Sequence, residues 1–294
     1  MNAKKASAIA AKAATGLLAA MASVSAWADS EPVRWQLNMP EGVTRTAENA
    51  YSMHMLMLWI CVVIGVAVFG AMAVAMFKFR KSKGAKPDVS FTHSTKLEII
   101  WTVIPVIILV VMAVPATSMV IEQYDTRGHE MTVKVTGYQW MWRYEIVGED
   151  VNFISRLDRE SDRIRQSGER PDPALVPHYL RDVDNPLVLP TDTKIRLVMT
   201  ADDVIHSWWV PALGWKQDAI PGIINEAWTE ISEPGTYRGV CAELCGKDHG
   251  FMPIVVKAVP RAEYEAWLTA HKAGDLAEAA RIAATAPAQA GGEG

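Results

Sequence analysis

Twelve consecutive residues, Cys241 to Met252, hold two thiols, an imidazole and a thioether: Cys241, Cys245, His249 and Met252. A further histidine, His206, precedes them. Thiolate and thioether are soft donors that select copper over magnesium or calcium, and imidazole suits copper as well. Two cysteines and two histidines could also make a tetrahedral zinc site. Met252 would then have no role, whereas a long axial methionine is a habit of copper electron-transfer centres. A mononuclear blue-copper site uses one thiolate, so two suggest sulfurs that bridge a pair of coppers. A Cys241–Cys245 disulfide is the competing reading in an oxidising compartment. It accounts for neither the histidines nor the methionine.

Elements must carry these donors. The chain has 294 residues, room for one ordinary domain plus membrane segments. Met1–Ala28 reads as a secretory signal: Lys4 and Lys5, an Ala-rich apolar stretch, then Ala26-Trp27-Ala28 as a small-x-small cleavage site. Asp29–Ala50 would follow as an exported N-terminal segment. Two apolar runs, Tyr51–Phe79 and Leu97–Ile121, are each long enough to span a bilayer, which needs about 20 residues. Pro105 and Pro115 lie in the second, where membrane helices tolerate proline. The connecting Arg80–Lys96 is rich in Lys and Arg, the mark of a cytoplasmic loop. Both ends of the mature chain are therefore expected outside the cytoplasm.

Residues from Glu122 to Val259 have the texture of an all-β domain. Met131–Val135 and Lys194–Met199 alternate apolar and polar, and further short runs lie between turn residues. Such spacing suggests a sandwich or barrel. Glu149–Asp184 is charged and Pro-bearing, which reads as a long surface excursion. Pro260–Ala284 has helical periodicity, with Tyr264, Trp267 and Leu268 on one side, and Thr285–Gly294 is Ala/Gly-rich and expected to be disordered. A formal net charge of −4 gives no footprint for nucleic acid. Cys61, in the first span, reads as a small hydrophobe.

Several motifs are specific. They are Leu97-Glu98-Ile99-Ile100-Trp101-Thr102, Gly137-Tyr138-Gln139-Trp140-Met141-Trp142, Asp203-Val204-Ile205-His206-Ser207-Trp208, Lys216-Gln217-Asp218-Ala219-Ile220-Pro221-Gly222, and the Cys241–Met252 loop. With them the chain closely resembles subunit II of the bacterial cytochrome c oxidases, from about Tyr51 to Trp267. The resemblance implies two transmembrane helices followed by a cupredoxin-like β sandwich or barrel that carries a dinuclear copper A centre. It implies a place in the bacterial inner membrane with the copper domain on the periplasmic side. The implied partners are cytochrome c as electron donor, the large subunit that reduces oxygen, other oxidase subunits and the lipid bilayer.

Carried over by position, the resemblance makes Cys241 and Cys245 the bridges and completes the ligand set with His206 and His249. Met252 and the carbonyl of Glu243 become weak ligands. The Glu243 side chain would reach a magnesium ion shared with the large subunit, a hard carboxylate suiting that hard cation. Trp140 would receive electrons from cytochrome c. Asp203, Asp202 and Glu145 would form a docking patch, and Glu98 would stand at the mouth of a proton path. The sequence departs from the family pattern at Met141, Ile223, Val240 and Ala242, none of them a copper ligand position.

Blander readings compete for the outer residues. Tyr138, Trp140, Trp142 and Tyr144 share a strand face by the two-residue period, which could be packing alone. Acidic surface residues are usually only solvated, and Glu98 could serve merely as a favourable helix start. Among other functions, a membrane-anchored copper carrier would need a labile site. A quinol oxidase subunit would lack the copper ligands. Nitrous oxide reductase would need a second large domain. No Cys-x-x-Cys-His occurs, so no c-type haem attachment is read here.

Overall fold

The computed structural model describes residues 35–286 apart from 41, 85, 87–89 and 91. The expected signal at Met1–Ala28 and residues 287–294 of the expected tail lie outside the described residues.

The first long helix runs Arg45–Lys78. It starts six residues earlier than the apolar run because Thr44 caps it, its hydroxyl accepting the Ala47 N–H at 3.1 Å. This start is joined to the β domain. The Thr44 and Thr46 hydroxyls donate to the Leu213 carbonyl at 2.9 and 3.1 Å, and Thr44 forms an antiparallel bridge with Ile231. Gly214, at φ 80°, lies so close that a Cβ there would stand 2.4 Å from the Ala47 Cα. Only glycine meets both demands.

The second long helix, Thr95–Gln123, is capped by Ser94 and continues through Pro105 and Pro115. At 34 and 29 residues the two helices measure about 50 and 44 Å, more than the ~30 Å hydrocarbon core of a bilayer. Their ends meet at Glu122. Its carboxylate accepts from Arg45 Nε at 2.8 Å and Asn49 Nδ2 at 3.1 Å, and its carbonyl accepts the indole N–H of Trp228 at 3.1 Å. The Arg45 guanidinium and the Lys194 ammonium lie 5.4 and 4.3 Å from the same Trp228 ring.

Ten strands follow: β1 Met131–Tyr138, β2 Met141–Ile146, β3 Val151–Ser155, β4 Leu187–Pro190, β5 Ile195–Ala201, β6 His206–Val210, β7 Trp215–Ala219, β8 Asn225–Thr229, β9 Gly235–Cys241 and β10 Ile254–Val259. They make two five-stranded sheets, ordered β3-β2-β1-β5-β8 and β4-β10-β9-β6-β7. Pairs β1/β5 and β4/β10 are parallel and the rest antiparallel. β5 buries every second residue, the pattern of a strand with one face on a core. Trp142, Tyr144, Trp208, Leu197 and Met199 fill the space between the sheets. Truncating such a buried tryptophan to alanine costs about 3–5 kcal/mol.

Three expectations change. The excursion is not all loop: β3 pairs with β2, and a short helix, Arg159–Ser167, stands between the Asp158 cap and Gly168 in the left-handed region. Pro260–Ala284 is not one helix but two, Arg261–Lys272 and Leu276–Ala283, because Gly274 at φ 76° breaks the first and Asp275 caps the second. Trp140 does not sit on a strand face. β1 ends at Tyr138 and β2 begins at Met141, so Gln139 and Trp140 form the hairpin turn. The two-residue period holds only on the strand side, where Trp142 and Tyr144 are fully buried.

Candidate metal centre

β6 begins with His206 and β9 ends with Cys241, and the two strands are neighbours in one sheet. The loop from Cys241 returns through the short 3-10 turn His249–Phe251 into β10. A strand start, a strand end and one loop thus bring the soft donors to the same rim of the sandwich.

The donors face one another. Cys241 Sγ lies 3.8 Å from Cys245 Sγ, 3.9 Å from His206 Nδ1 and 3.4 Å from the Glu243 carbonyl oxygen. Cys245 Sγ lies 3.5 Å from His249 Nδ1 and 3.6 Å from Met252 Sδ. A disulfide would hold its sulfurs about 2.05 Å apart, so these are two separate thiols. The spacing suits two sulfurs that each stand about 2.3 Å from a shared metal. His206, Cys241 and Cys245 are the one group of three such ligands found among the described residues, their donor atoms all within 4.8 Å. The donor set is soft and, apart from the half-buried His249, buried, and it fits copper.

The surroundings orient it. His206 is fully buried, and its Nε2 meets Asp203 Oδ1 at 2.9 Å. A proton held on Nε2 leaves the Nδ1 lone pair for a metal. Gly137 backs the same ring: a Cβ there would stand 2.7 Å from the imidazole Cδ2. Trp142 donates its indole N–H to the Met252 carbonyl at 3.3 Å. The Cys245 carbonyl accepts from Gln139 Nε2 at 2.8 Å and from Trp140 Nε1 at 3.2 Å.

Charges follow this packing. Burial pushes the Cys241 thiol up, but His206 and backbone N–H donors outweigh it and bring it to about 7. Burial, and then the charge of Cys241, drive Cys245 up to about 12. Burial and mutual repulsion thus oppose two thiolates at once, and metal binding would displace the remaining thiol protons. Burial pushes the Asp203 carboxyl up, but His206 and the backbone N–H groups of Val204 and Gln139 hold it below its ordinary value.

Other expected site residues lie apart. Glu243 has an exposed side chain, and among the described residues no carboxylate cluster joins it. Asp202 is exposed beside Asp203. Glu145 pairs with Lys134 at 3.8 Å, and lies four residues along β2 from Met141, about 13 Å from the turn. Glu98 sits at the opposite end of the second long helix, its carboxylate 2.8 Å from His93 Nδ1. Reading by residue chemistry gave no role to Gly137 or Gln139, which lack a ligand side chain. Both nevertheless lie inside the Gly137–Trp142 motif.

Two long apolar helices, a double-sheet cupredoxin-like domain and a thiol–imidazole cluster at its rim define a membrane-anchored protein with a candidate metal site. Residues 32–119 match the family model described as cytochrome c oxidase subunit II, transmembrane domain, and residues 131–259 that described as its periplasmic domain. A probable cytochrome c oxidase subunit 2 of Rickettsia prowazekii is 39% identical over 240 residues, covering 81% of this chain and 73% of that protein. Cytochrome c oxidase subunit 2 of Chondrus crispus is 36% identical over 239 residues, covering 80% of this chain and 91% of that one. Among solved structures, the periplasmic domain of subunit II of cytochrome oxidase of Bradyrhizobium japonicum shows 36% identity. It covers 51% of this chain and 98% of its own, with a TM-score of 0.43. The chain belongs to the cytochrome c oxidase subunit II family.

Proposed function

We propose that this chain is the electron-accepting subunit of its oxidase, taking electrons from cytochrome c at a dinuclear copper centre and delivering them to the large subunit. The observation that carries this reading is the convergence of the Cys241, Cys245, His206 and Met252 donors, all buried, with the half-buried His249 in one cluster. Bound there, a copper pair supplies a centre that gains and loses one electron with little change in geometry. Cys241 and Cys245 would hold it through their thiolates. His206 and His249 would bind through the Nδ1 atoms that face the sulfurs, with Met252 and the Glu243 carbonyl as further weak donors.

The chain's other residues orient and connect. Asp203 keeps the His206 proton on Nε2. Trp140 stands at the domain's rim with its indole tied to the Cys245 backbone, a short route from a docked donor to a ligand sulfur. Asp202, Asp203 and Glu145 supply negative charge that attracts a basic cytochrome. The exposed Glu243 carboxylate offers one ligand for a magnesium ion between this chain and the large subunit. Glu98 relays protons on the opposite, cytoplasmic side. In this arrangement Met1–Ala28 directs export, and the β domain faces the periplasm of a bacterial inner membrane.

The test is copper content and electron spin resonance of the purified oxidase. One unpaired electron coupled to two copper nuclei is expected. Cys245→Ser replaces a soft bridge by a hard oxygen and should abolish that signal together with cytochrome c oxidation. A variant that keeps two coppers and normal electron uptake overturns the proposal.

A further inference from the structure

The excursion helix Arg159–Ser167 reaches the metal-centre loop through one side chain. Arg165 bonds Asp162 through Nε and Nη2 at 3.1 and 2.8 Å, as a partner three residues back on a helix would. Its remaining nitrogen, Nη1, crosses to Asp248 Oδ1 at 3.2 Å, and its guanidinium lies 4.2 Å from the centroid of the Phe251 ring. Arg165 and Asp248 are both about three-quarters covered, at 25% and 24% side-chain exposure. Asp248 immediately precedes His249, and Phe251 immediately precedes Met252. The turn His249–Phe251 has no side-chain cap of its own.

The geometry points to Arg165 as a positioning residue for the metal centre: it braces the His249–Phe251 turn, so that His249 and Met252 reach the Cys245 sulfur together. This rests on the copper reading proposed above. A planar fork can hold two carboxylates and stack on a ring at once, which a lysine cannot. Asp162 and Asp248 together outweigh the single guanidinium charge, so Arg165 adds no net positive charge to the loop. Arg165 touches neither His249 nor Met252; it acts through Asp248 and Phe251. Long axial methionine contacts tune copper potentials, and groups that orient ligands typically matter by about 10–100-fold in metal affinity or activity.

Arg163 provides an internal control. It lies two residues away on the same helix, and bonds Glu160 and Glu169 within its own segment. Arg165→Met, Arg165→Lys and Arg163→Met are to be compared in the assembled oxidase by copper content, hyperfine pattern, midpoint potential and copper loss to a chelator. Arg165→Met should keep two coppers, change the hyperfine pattern, shift the potential and lose copper at about 10-fold lower chelator concentration. Arg165→Lys should recover part of each change, and Arg163→Met should match the parent.

If Arg165→Met fails to assemble, Phe251→Leu, which removes the ring under the guanidinium, should show the same spectroscopic shift. A parent-like spectrum and potential in Arg165→Met, or in Phe251→Leu where that stands in, overturns the inference, even if thermal stability falls. A parent enzyme without the two-copper signal overturns instead the copper reading beneath it.

Discussion

Asp203 places its Oδ1 2.9 Å from Nε2 of the fully buried His206. The same carboxylate accepts the backbone N–H groups of Val204 and Gln139, each at 2.6 Å. A group with three donors already in place is an orienting group for the imidazole before it is a free surface charge. Asp203→Asn should therefore alter the hyperfine pattern of the copper centre and weaken copper retention by about 10-fold or more. Asp202→Asn should leave the spectrum unchanged, slow cytochrome c association and flatten its salt dependence, read as the Debye length falls through about 10 Å. An unaltered copper spectrum in Asp203→Asn would return that residue to docking alone.

Gly137 is the floor under the His206 ring. Gly137→Ala would set a methyl 2.7 Å from the imidazole, closer than atoms tolerate, so the ring or the β1 backbone must move. The expected outcome is a folded domain with copper content below two per chain. Circular dichroism and metal analysis on one sample check both halves.

Trp140 donates its indole N–H to the Cys245 carbonyl. Trp140→Phe keeps a ring at the rim but removes the donor. Copper content and cytochrome binding should stay near the parent while the electron-transfer rate falls several-fold, measured by rapid mixing with reduced cytochrome c. An unchanged rate makes Trp140 only a packed aromatic.

Glu98, beside His93, lies at the end of the second long helix away from the β domain. Glu98→Gln should slow reduction of the large subunit's oxygen-reducing site and leave cytochrome c oxidation by the copper centre intact. Glu98→Asp should retain part of the rate. The helix-start reading predicts instead a loss of about 0.3–1 kcal/mol and no affected kinetic step. Time-resolved haem spectra in the assembled enzyme separate the two.

His271 packs against Phe153 and Trp267, ring centroids 5.4 and 5.2 Å apart, and burial lowers its pKa below the ordinary imidazole value. The unfolded chain takes up this proton more readily than the folded one. Stability from the packed neutral ring is thus complete above about pH 6.5 and is lost as pH falls through the lowered folded value. Thermal melts at pH 8 and pH 5 should show the loss, and His271→Phe should reduce the difference between them.

The donor cluster was legible in sequence because four of its soft side chains lie within twelve residues. The membrane helices were legible from length and apolarity, but not their first turn. The start at Thr44 depends on contacts with Leu213 and Ile231, far along the chain. Trp140 was assigned to a strand face because periodicity cannot see that the chain reverses at Gln139. The excursion concealed β3 and a helix because both are short and the helix is highly charged. Their order comes from pairing with β2 and from buried Ser161 and Ile164, which local composition does not reveal.

Thr44, Ala47 and Gly214 leave no hinge between the first membrane helix and the β domain, and Glu122 with Trp228 closes the second side. The helical pair is therefore a mast as well as an anchor, and the metal centre is an instrument bolted to its top. One residue inserted just after the junction would raise that instrument by about 1.5 Å and turn it by about 100° against the helices below. Both alignments are set by contacts within the folded chain, so the height and heading of the donor cluster over its helices are manufactured tolerances.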